Sequence, residues 1–239
     1  MKITIGHLYP DLLNLYGDRG NIQCMKKRCQ WRGIEAEVKE FQISDTVNFA
    51  DLDIVLLGGG SDREQMLVCE RLRSLRNSFS EYVEDNGTVL AVCGGYQLLG
   101  HYYDTSEGRI EGLSLVDLYT EQGSPRLISN IVIENELFPY PVVGFENHAG
   151  RTTIGDNKPF GRVLFGHGND GISQEEGVMY KNVIGTYLHG PLLPKNPHVC
   201  DLLIANALGR KYGVRELEPL DDTQEKQANQ YIVERFVNG

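Results

Sequence analysis

The segment 88–100 constrains the fold of this chain more than any other. A continuous apolar, β-branched run, Thr88–Val92, stops at Cys93, two glycines follow, and a short helical pattern begins. This order predicts a buried strand, a sharp turn and a helix, with one thiol standing clear of the backbone at the turn. The N-terminus of the following helix favours the thiolate, the reactive form of the side chain. Cys93 is therefore a candidate nucleophile, and the alternative is a small apolar residue that closes a buried strand.

The same alternation of strand and helix runs through the first hundred residues. Strands are predicted at residues 2–8, 34–41, 53–57 and 88–92, and helices at residues 21–32 and from 62 to about 85. Ser61 and Glu64 form a capping box at the start of the second helix. Apolar strands separated by helices indicate an α/β fold, with a mostly parallel twisted sheet flanked by helices. The segment 9–21 contains Pro10, Gly17 and Gly20 and is predicted to be a structured loop.

The second half of the chain is predicted to be rich in β-structure. Short apolar runs at residues 127–133, 142–147, 162–165, 178–180 and 182–187 alternate with glycine and asparagine turns. Lys181-Asn182 is predicted to be a hairpin turn, and a helix is predicted from Pro197 to Ala207 with Gly209 near its end. We expect residues 1–213 to form one domain and residues 214–239 to form an acidic linker and a helical tail.

Composition excludes several classes of function. The net charge of −10 disfavours a nucleic-acid or anionic-membrane binder. No stretch approaches the roughly 18–20 apolar residues of a membrane span, and the N-terminus enters a strand pattern without signal-peptide organisation, so a cytoplasmic protein is expected. Five scattered cysteines predict neither a disulfide framework nor a metal site. The basic clusters Lys26-Lys27-Arg28 and Arg71-Leu72-Arg73 are interpreted as solvated helix faces.

A glycine loop is predicted to lie at the same rim of the sheet as the thiol. The strand at 53–57 ends at Gly58-Gly59-Gly60, and ligand sites in parallel sheets gather at the carboxyl ends of strands. Backbone N–H groups of this loop, together with that of Gly94, could form an oxyanion hole. The alternative is a plain tight turn. No Gly-Lys-Ser/Thr follows, which argues against a phosphate-binding loop.

A cysteine nucleophile also needs a base, and the chain has six histidines. His189 follows a predicted strand and precedes Gly190-Pro191, which places it at the rim that carries Cys93. The alternative is a hydrogen-bonded turn histidine. His148 remains a second candidate. Four histidines are interpreted as structural: His7, His101, His167 and His198.

At this point the chain resembles a class I, triad-type glutamine amidotransferase. The residues Cys93-Gly94-Gly95-Tyr96-Gln97-Leu98-Leu99 match that family's elbow, Cys-x-Gly-x-Gln-x-Leu, and Gly58-Gly59-Gly60 matches its oxyanion loop. The usual His-Pro-Glu motif is replaced by Tyr187-Leu188-His189-Gly190-Pro191, a variant similar to the cobyric acid synthase branch, as is Gly144-Phe145-Glu146-Asn147-His148-Ala149-Gly150. The resemblance implies a Cys93–His189 dyad. Glu146 is a candidate to orient His189, and a structural role for this carboxylate is the alternative.

Within this branch, the opening of the chain is similar to the GatD family, the glutaminase subunits of lipid II isoglutaminyl synthases. The similarity begins at Leu8-Tyr9-Pro10-Asp11 and runs through His189, and the length suits a stand-alone glutaminase without an ATP-using domain. The resemblance implies a flavodoxin-like three-layer fold and hydrolysis of L-glutamine. It also assigns the roles of individual residues: Cys93 and His189 catalytic, Gly60 and Gly94 in the oxyanion hole, and Arg126, Gln97 and Gly59 binding the substrate.

The same resemblance implies a heterodimer. Ammonia would pass to a MurT-like synthetase of the Mur-ligase family, which would amidate D-glutamate in lipid II to D-isoglutamine. No cofactor is expected in this chain, and ATP and Mg are expected on the partner subunit. Three other functions stay open: a glutaminase for another carboxylate such as a cobyrinate, a non-catalytic regulatory scaffold, and a cysteine hydrolase. For Arg126, a surface arginine beside a turn is the alternative.

Overall fold

The computed structural model describes residues 1–14 and 17–239, and its elements largely follow the predicted order. The first half contains β1 (Lys2–Leu8), α1 (Arg19–Trp31), β2 (Glu35–Phe41), β3 (Ile54–Leu57), α2 (Asp62–Ser74), α3 (Arg76–Glu84), β4 (Thr88–Val92) and α4 (Gly94–Leu98). The second half contains β5 (Tyr102–Thr105), β6 (Gly108–Glu111), β7 (Tyr119–Glu134), β8 (Val142–Thr153), β9 (Gly161–Phe165), β10 (Glu175–Glu176), β11 (Val178–Tyr180), β12 (Val183–Thr186), α5 (Leu192–Lys195), α6 (Pro197–Tyr212) and α7 (Thr223–Phe236).

The first sheet carries the predicted α/β core. Its six strands lie in the order β11-β12-β4-β3-β1-β2, and every neighbouring pair is parallel except the edge hairpin of β11 and β12. All residues of β3, β4 and β12 are buried, as expected for strands covered on both faces. The predicted α/β fold with a mostly parallel sheet is therefore confirmed. Lys181, at φ +51°, lies in the predicted hairpin turn.

The second sheet is inserted in the chain between β4 and β12. Its strands lie in the order β10-β9-β7-β5-β6, and β8 pairs with β7. The runs predicted at 127–133 and 142–147 are parts of two longer strands, β7 with 16 residues and β8 with 12. Their register shifts between Gln122 and Leu127, so the segment 123–126 bulges from the ladder. This bulge carries Arg126.

Two helix predictions were wrong in their bounds. The helix predicted from 62 to about 85 is two helices, because Leu75 leaves helical geometry at φ −101° and ψ 1°. The bend stacks Phe79 of α3 on Phe49, with ring centroids 4.4 Å apart. The helix predicted at 197–207 continues to Tyr212 and ends at the left-handed Gly213. The capping box of Ser61 and Glu64 is confirmed.

The interpretation of Lys26-Lys27-Arg28 as a solvated face was wrong for one residue. Arg28 is buried, and its guanidinium bonds Asp201 of α6 and Asp222 just before α7, each at 2.6 Å. A buried guanidinium requires such partners. Asn229 of α7 donates to the Pro141 carbonyl at 3.0 Å, so the C-terminal helix lies against the body of the protein.

The start of α1 differs from the prediction. The helix α1 begins at Arg19, inside the segment predicted to be a loop, and Leu15 and Tyr16 of that segment lie outside the described residues. None of the helices in the described ranges is long and apolar enough to cross a membrane.

Candidate active site

The predicted sharp turn after β4 is confirmed at Cys93. Its backbone has φ +51° and ψ −108°, a conformation that is strained for a residue with a Cβ. The Cys93 N–H donates to the Thr186 carbonyl of β12 at 2.8 Å, and the Gly95 N–H donates to the Gly58 carbonyl at 3.0 Å. The turn is therefore fixed between the two strands adjacent to β4, and it holds the thiol at the carboxyl end of the sheet.

The thiol of Cys93 is protonated in the resting site. Burial, and next the negative charge of Asp18, raise the pKa of Cys93 to about 12. The Gly94 N–H at the start of α4 and the guanidinium of Arg126 oppose this rise. The helix N-terminus does favour the thiolate, as predicted, since the Gly94 N–H lowers the pKa of Cys93, but the loss of hydration on burial outweighs this effect. Catalysis at neutral pH therefore requires a base.

Asp18 holds the glycine loop against the thiol. The Gly59 N–H donates to Asp18 Oδ2 at 2.8 Å, and this carboxylate is fully buried. A Cβ on Gly59 would lie 3.2 Å from the Cβ of Cys93, so the loop approaches the nucleophile more closely than a side chain would readily allow. The N–H of Gly59 is thus already bonded to Asp18, and its lack of a side chain permits the close approach of the loop to Cys93.

Gly60 and Gly94 supply the backbone donors that remain beside the thiol. Within residues 1–14 and 17–239, the Gly60 N–H has no protein acceptor, and Gln65 Nε2 donates to the Gly60 carbonyl at 3.3 Å. This bond orients the Gly60 peptide. A Cβ on Gly94 would lie 2.9 Å from the Gln65 amide, so the close packing excludes a side chain there. Gly60 and Gly94 remain our prediction for the oxyanion hole.

A cavity of about 370 Å³ opens beside Cys93, within the roughly 300–1,000 Å³ of small-molecule sites. It brings together three groups of sequence-predicted residues: the nucleophile Cys93, the loop residue Gly60, and the substrate-binding candidates Gln97 and Arg126. The other lining residues are Ser61, Asp62, Arg63, Gln65, Tyr103, Glu107, Asn147, His148 and Ala149.

Gln97 is held in one orientation by a row of buried hydroxyl groups. Its Nε2 donates to the Tyr187 hydroxyl at 3.1 Å, which is hydrogen-bonded to Thr152 Oγ1 at 2.6 Å. Thr152 in turn bonds Thr120 at 2.8 Å. The ring of His148 stacks on Tyr187 with centroids 3.6 Å apart. The side-chain amide of Gln97 is therefore held in one orientation at the cavity.

Asn147 aims the guanidinium of Arg126. Arg126 Nε donates to Asn147 Oδ1 at 3.1 Å, and Arg126 Nη2 donates to the Asn147 carbonyl at 3.0 Å. An arginine side chain has five N–H donors, so the edge formed by Nη1 and Nη2 keeps two donors for a ligand. This fork matches a carboxylate, the group expected on the substrate.

His189 lies at the carboxyl end of β12, the strand next to β4. Its backbone exchanges hydrogen bonds with Phe145, at 3.0 Å and 3.2 Å. The imidazole is fully buried and is not among the residues that line the cavity. Burial, and then the charges of His148 and Lys195, lower the pKa of His189 to about 4. The ring is therefore neutral at physiological pH, as a general base must be.

A buried carboxylate fixes the strand end that leads to His189. Glu176 accepts hydrogen bonds from the Tyr187 N–H at 2.6 Å and from the Thr186 hydroxyl at 3.0 Å. Burial raises the pKa of Glu176 to about 8, although these bonds oppose the rise. Glu176 thus ties β10 to the segment that carries Tyr187 and His189.

Glu146 takes the structural role that the sequence left open. Its two oxygens accept the N–H groups of His167 at 2.7 Å and Gly168 at 2.9 Å. Its Oε2 also lies 3.8 Å from His148 Nε2. The carboxylate therefore closes the turn after β9 and faces His148, not the thiol.

Four residues that shape the site were missed by sequence reasoning: Asp18, Gln65, Glu176 and Asn147. Asn147 and Tyr187 lie inside the motifs 144–150 and 187–191, so the sequence indicated these positions but not what their side chains do. Gln65 lies one helical turn after the capping residue Ser61, on the side of α2 that faces the glycine loop. Asp18 lies in the opening segment 8–21 that resembles the GatD family, but the resemblance assigned it no role, and Glu176 gave no local signal because its partners are distant in the chain.

The model of the CobB/CobQ-like glutamine amidotransferase domain matches residues 4–197. The chain belongs to this family. Its match spans both sheets and includes Cys93 and His189. Membership of this family assigns the chain to the glutamine amidotransferases. The sharp turn at Cys93 and the glycine loop 58–60 have the geometry that this activity requires.

Curated relatives resemble this amidotransferase over different lengths. The subunit named lipid II isoglutaminyl synthase (glutamine-hydrolyzing) subunit GatD from Staphylococcus aureus (strain N315) is 43% identical over 235 residues, covering 98% of this chain and 96% of that protein. The subunit of the same name from Streptococcus pneumoniae is 43% identical over 215 residues, covering 89% and 83%. A cobyric acid synthase from Clostridium acetobutylicum is 31% identical over 167 residues, covering 66% of this chain and 33% of the synthase.

Solved structures share the fold at low sequence identity. PurLQS from Thermotoga maritima has a TM-score of 0.53 at 16% identity, covering 98% of this chain and all of that chain. A glutamine amidotransferase crystal structure has a TM-score of 0.54 at 15% identity, covering 85% and 98%. The Trypanosoma brucei CTPS glutaminase domain with bound acivicin has a TM-score of 0.51 at 13% identity, covering 90% and 98%.

Proposed function

We propose that this chain is the glutamine-hydrolysing subunit of a lipid II isoglutaminyl synthase. Nearly full-length identity of 43% to a subunit of that name supports the assignment. The observation that carries the chemistry is the strained elbow, which holds Cys93 between the glycine loop and a cavity containing Arg126. A thiol, backbone donors and a carboxylate-binding fork are the groups that hydrolysis of glutamine requires.

In the proposed reaction, Cys93 Sγ attacks the side-chain amide carbon of L-glutamine. His189 takes the thiol proton and gives it to the departing ammonia, which leaves a γ-glutamyl thioester on Cys93. His189 then accepts a proton from water, whose oxygen attacks the thioester and releases glutamate and the free thiol. The N–H groups of Gly60 and Gly94 stabilise the oxyanion of both tetrahedral intermediates, each donor contributing about 2.7–4 kcal/mol to the barrier reduction.

Ammonia is the useful product, so the proposal includes a second subunit. A MurT-like synthetase of the Mur-ligase family would form a heterodimer with this chain in the cytoplasm. It would bind ATP and Mg and amidate the α-carboxyl group of D-glutamate in lipid II to D-isoglutamine. The name of the relatives, a subunit of a synthase, supports a two-subunit enzyme.

The test is an amidation assay with the two subunits purified together. We expect ATP- and glutamine-dependent amidation of lipid II, together with release of glutamate. Cys93→Ala should lower glutamine hydrolysis at least ~1,000-fold without changing the circular dichroism spectrum, because the reaction loses its nucleophile. Cys24→Ala, a thiol on α1 outside the cavity, is the matched control and should retain activity.

Glutamine hydrolysis that survives Cys93→Ala would contradict the mechanism. Amidation of a corrinoid carboxylate instead of lipid II would leave the glutaminase in place and replace the acceptor.

A further inference from the structure

The cavity beside Cys93 carries charges of both signs. Arg126 supplies a guanidinium, while Asp62 and Glu107 supply carboxylates to the same cavity wall. Hydrolysis of an amide needs only the thiol, a base and the oxyanion donors. A free amino acid also carries one carboxylate and one ammonium group. A cavity lined by both a guanidinium and carboxylates therefore suits a zwitterionic amino acid better than an uncharged amide.

Asp62 is the better placed of the two carboxylates. It is the first residue of α2, two residues after Gly60, and its side chain is half-buried. The Tyr103 hydroxyl interacts with its carboxylate. Burial raises the pKa of Asp62, and the positive charge of Arg126 opposes this rise. Glu107 is exposed.

An unpaired acceptor beside Asp62 indicates that the cavity receives N–H donors. Gln65 is 2% exposed and lines the cavity. Its Nε2 is bonded to the Gly60 carbonyl, while its Oε1 has no hydrogen-bond partner within residues 1–14 and 17–239. Leaving a buried acceptor unsatisfied is unfavourable unless a ligand completes it. An ammonium group offers three donors, enough for Asp62 and Gln65 together.

The orientation of Arg126 indicates where the α-carboxylate of the ligand would bind. Asn147 occupies Nε and one N–H of Nη2, which leaves the Nη1–Nη2 edge for the α-carboxylate. A glutamine with its side-chain amide at Cys93 and its α-carboxylate at Arg126 would place its α-ammonium group in the cavity that Asp62 and Gln65 also line. We propose that Asp62, assisted by Gln65 Oε1, binds the α-ammonium group and so restricts hydrolysis to amides that carry a free α-amino group. This inference rests on the proposed glutaminase function.

The test separates the ammonium group from the rest of the substrate. Glutaramate is glutamine without its α-amino group, and it keeps both the amide and the carboxylate. Isothermal titration calorimetry on the full chain carrying Cys93→Ala gives a Kd for each compound without turnover. Asp62→Asn in this background should weaken L-glutamine binding ~10-fold or more, since the ammonium group loses a charged hydrogen-bond acceptor. Glutaramate binding should stay the same or tighten, because a carboxylate without its counter-ion is removed.

Two variants control for indirect effects. Glu225→Gln removes an acidic residue from the first turn of another helix, α7, outside the cavity, and should change neither Kd. Glu107→Gln should change glutamine binding less than Asp62→Asn. Circular dichroism establishes that each variant is folded.

Equal weakening of both compounds by Asp62→Asn would overturn the assignment, because a general disturbance of the cavity would then explain it. Selective loss with Glu107→Gln instead of Asp62→Asn would also overturn it. If the Cys93→Ala chain binds no glutamine at all, and the wild-type complex hydrolyses none, the proposed function itself fails along with the assignment.

Discussion

Asp18 acts on Cys93 in two ways. Its carboxylate fixes the Gly59 N–H at 2.8 Å and so places the glycine loop beside the thiol. Burial raises the pKa of Asp18 to about 6, and the Gly59 N–H opposes this rise, so the group is ionised at pH 7 and above. Its negative charge then disfavours a second negative charge on the neighbouring sulfur. The same side chain therefore builds the loop and keeps the resting thiol protonated.

Asp18→Asn should make Cys93 more reactive toward alkylating agents. Asparagine keeps an oxygen that accepts the Gly59 N–H but removes the charge, so the pKa of the thiol should fall. A fall of one unit raises the thiolate fraction about tenfold at a pH well below the pKa. We expect iodoacetamide to label Cys93 about tenfold faster at pH 8, measured by mass spectrometry of the Cys93 peptide.

The control for this experiment is Asp53→Asn, at the opposite end of β3. Asp53 is also a buried carboxylate and accepts the Thr4 N–H at 2.7 Å. The Asp53→Asn substitution should leave the rate of Cys93 labelling unchanged. A labelling rate that Asp18→Asn does not raise would show that burial alone keeps the thiol protonated.

At the residue scale, the sequence predicted the positions in the cavity better than their electrostatics. Cys93, Gln97 and Arg126 were found because their chemistry or their motif is local, and the structure brings them to one cavity. The protonated state of Cys93 depends on burial and on Asp18, and both arise only when distant segments pack together. The sequence therefore predicted the direction in which the helix N-terminus shifts the pKa of Cys93, but not the larger, opposite effect of burial.

At the element scale, the ends of the buried strands were predictable within about two residues because both ends carry glycine or polar residues. The break at Leu75 was not, since the apolar spacing continues through it. It arises from packing of Phe79 on Phe49, a contact between segments far apart in the sequence. The lengths of β7 and β8 were underestimated because polar residues alternate along strands that have one exposed face.

The contact between α1, α6 and the segment before α7 depends on Arg28. The side chain of Arg28 is 3% exposed, and those of Asp201 and Asp222 are 25% and 13% exposed. Arg28→Ala leaves the two carboxylates without this partner, and removal of one member of a buried ion pair costs about 3–5 kcal/mol. We expect a loss of about 3 kcal/mol in the free energy of unfolding by urea, the lower end because both carboxylates are partly hydrated.

Arg162→Ala is the matched comparison, since its pair with Glu134 joins side chains that are 60% and 49% exposed. Its cost should stay below about 1 kcal/mol. Similar losses for the two variants would mean that Arg28 contributes no more than a surface pair.

For the whole molecule, buried titratable groups set how stability depends on pH. Burial lowers the pKa values of His7, His189 and His198 to about 4, so the folded state binds fewer protons than the unfolded state between about pH 4 and 6.5. Stability rises with pH in that range. Glu176 has the opposite sign, because its pKa is raised from 4.5 to about 8 and the folded state keeps a proton that the unfolded state loses. The contribution of Glu176 to the free energy of unfolding therefore falls as the pH rises from 4.5 to about 8.

Between pH 6.5 and 8 the three histidines no longer change the stability with pH, and only the loss of stability from ionisation of Glu176 continues. We expect the melting temperature to fall over this interval, by about 2–4 °C for each kcal/mol lost, with a limit of about 1.4 kcal/mol per pH unit for one group. Glu176→Gln removes the ionisation and should flatten this decline in scanning calorimetry.

Glu175→Gln, at the neighbouring and less buried position, should keep the wild-type slope. If Glu176→Gln melts with the same pH dependence as the wild type, ionisation of Glu176 does not limit stability in this range.

Because the second sheet is inserted between β4 and β12, the two sheets contribute different residues to the candidate site. Cys93, Gly60 and His189 come from the ends of the first sheet, whereas Tyr103, Arg126 and Asn147 come from the inserted one. In the proposed binding mode, the α-carboxylate therefore meets the inserted sheet, whereas the thiol and the proposed ammonium ligand Asp62 belong to the first α/β part of the chain. A change confined to the inserted sheet would then alter recognition of the α-carboxylate while the thiol, its turn and the strand before it stay the same.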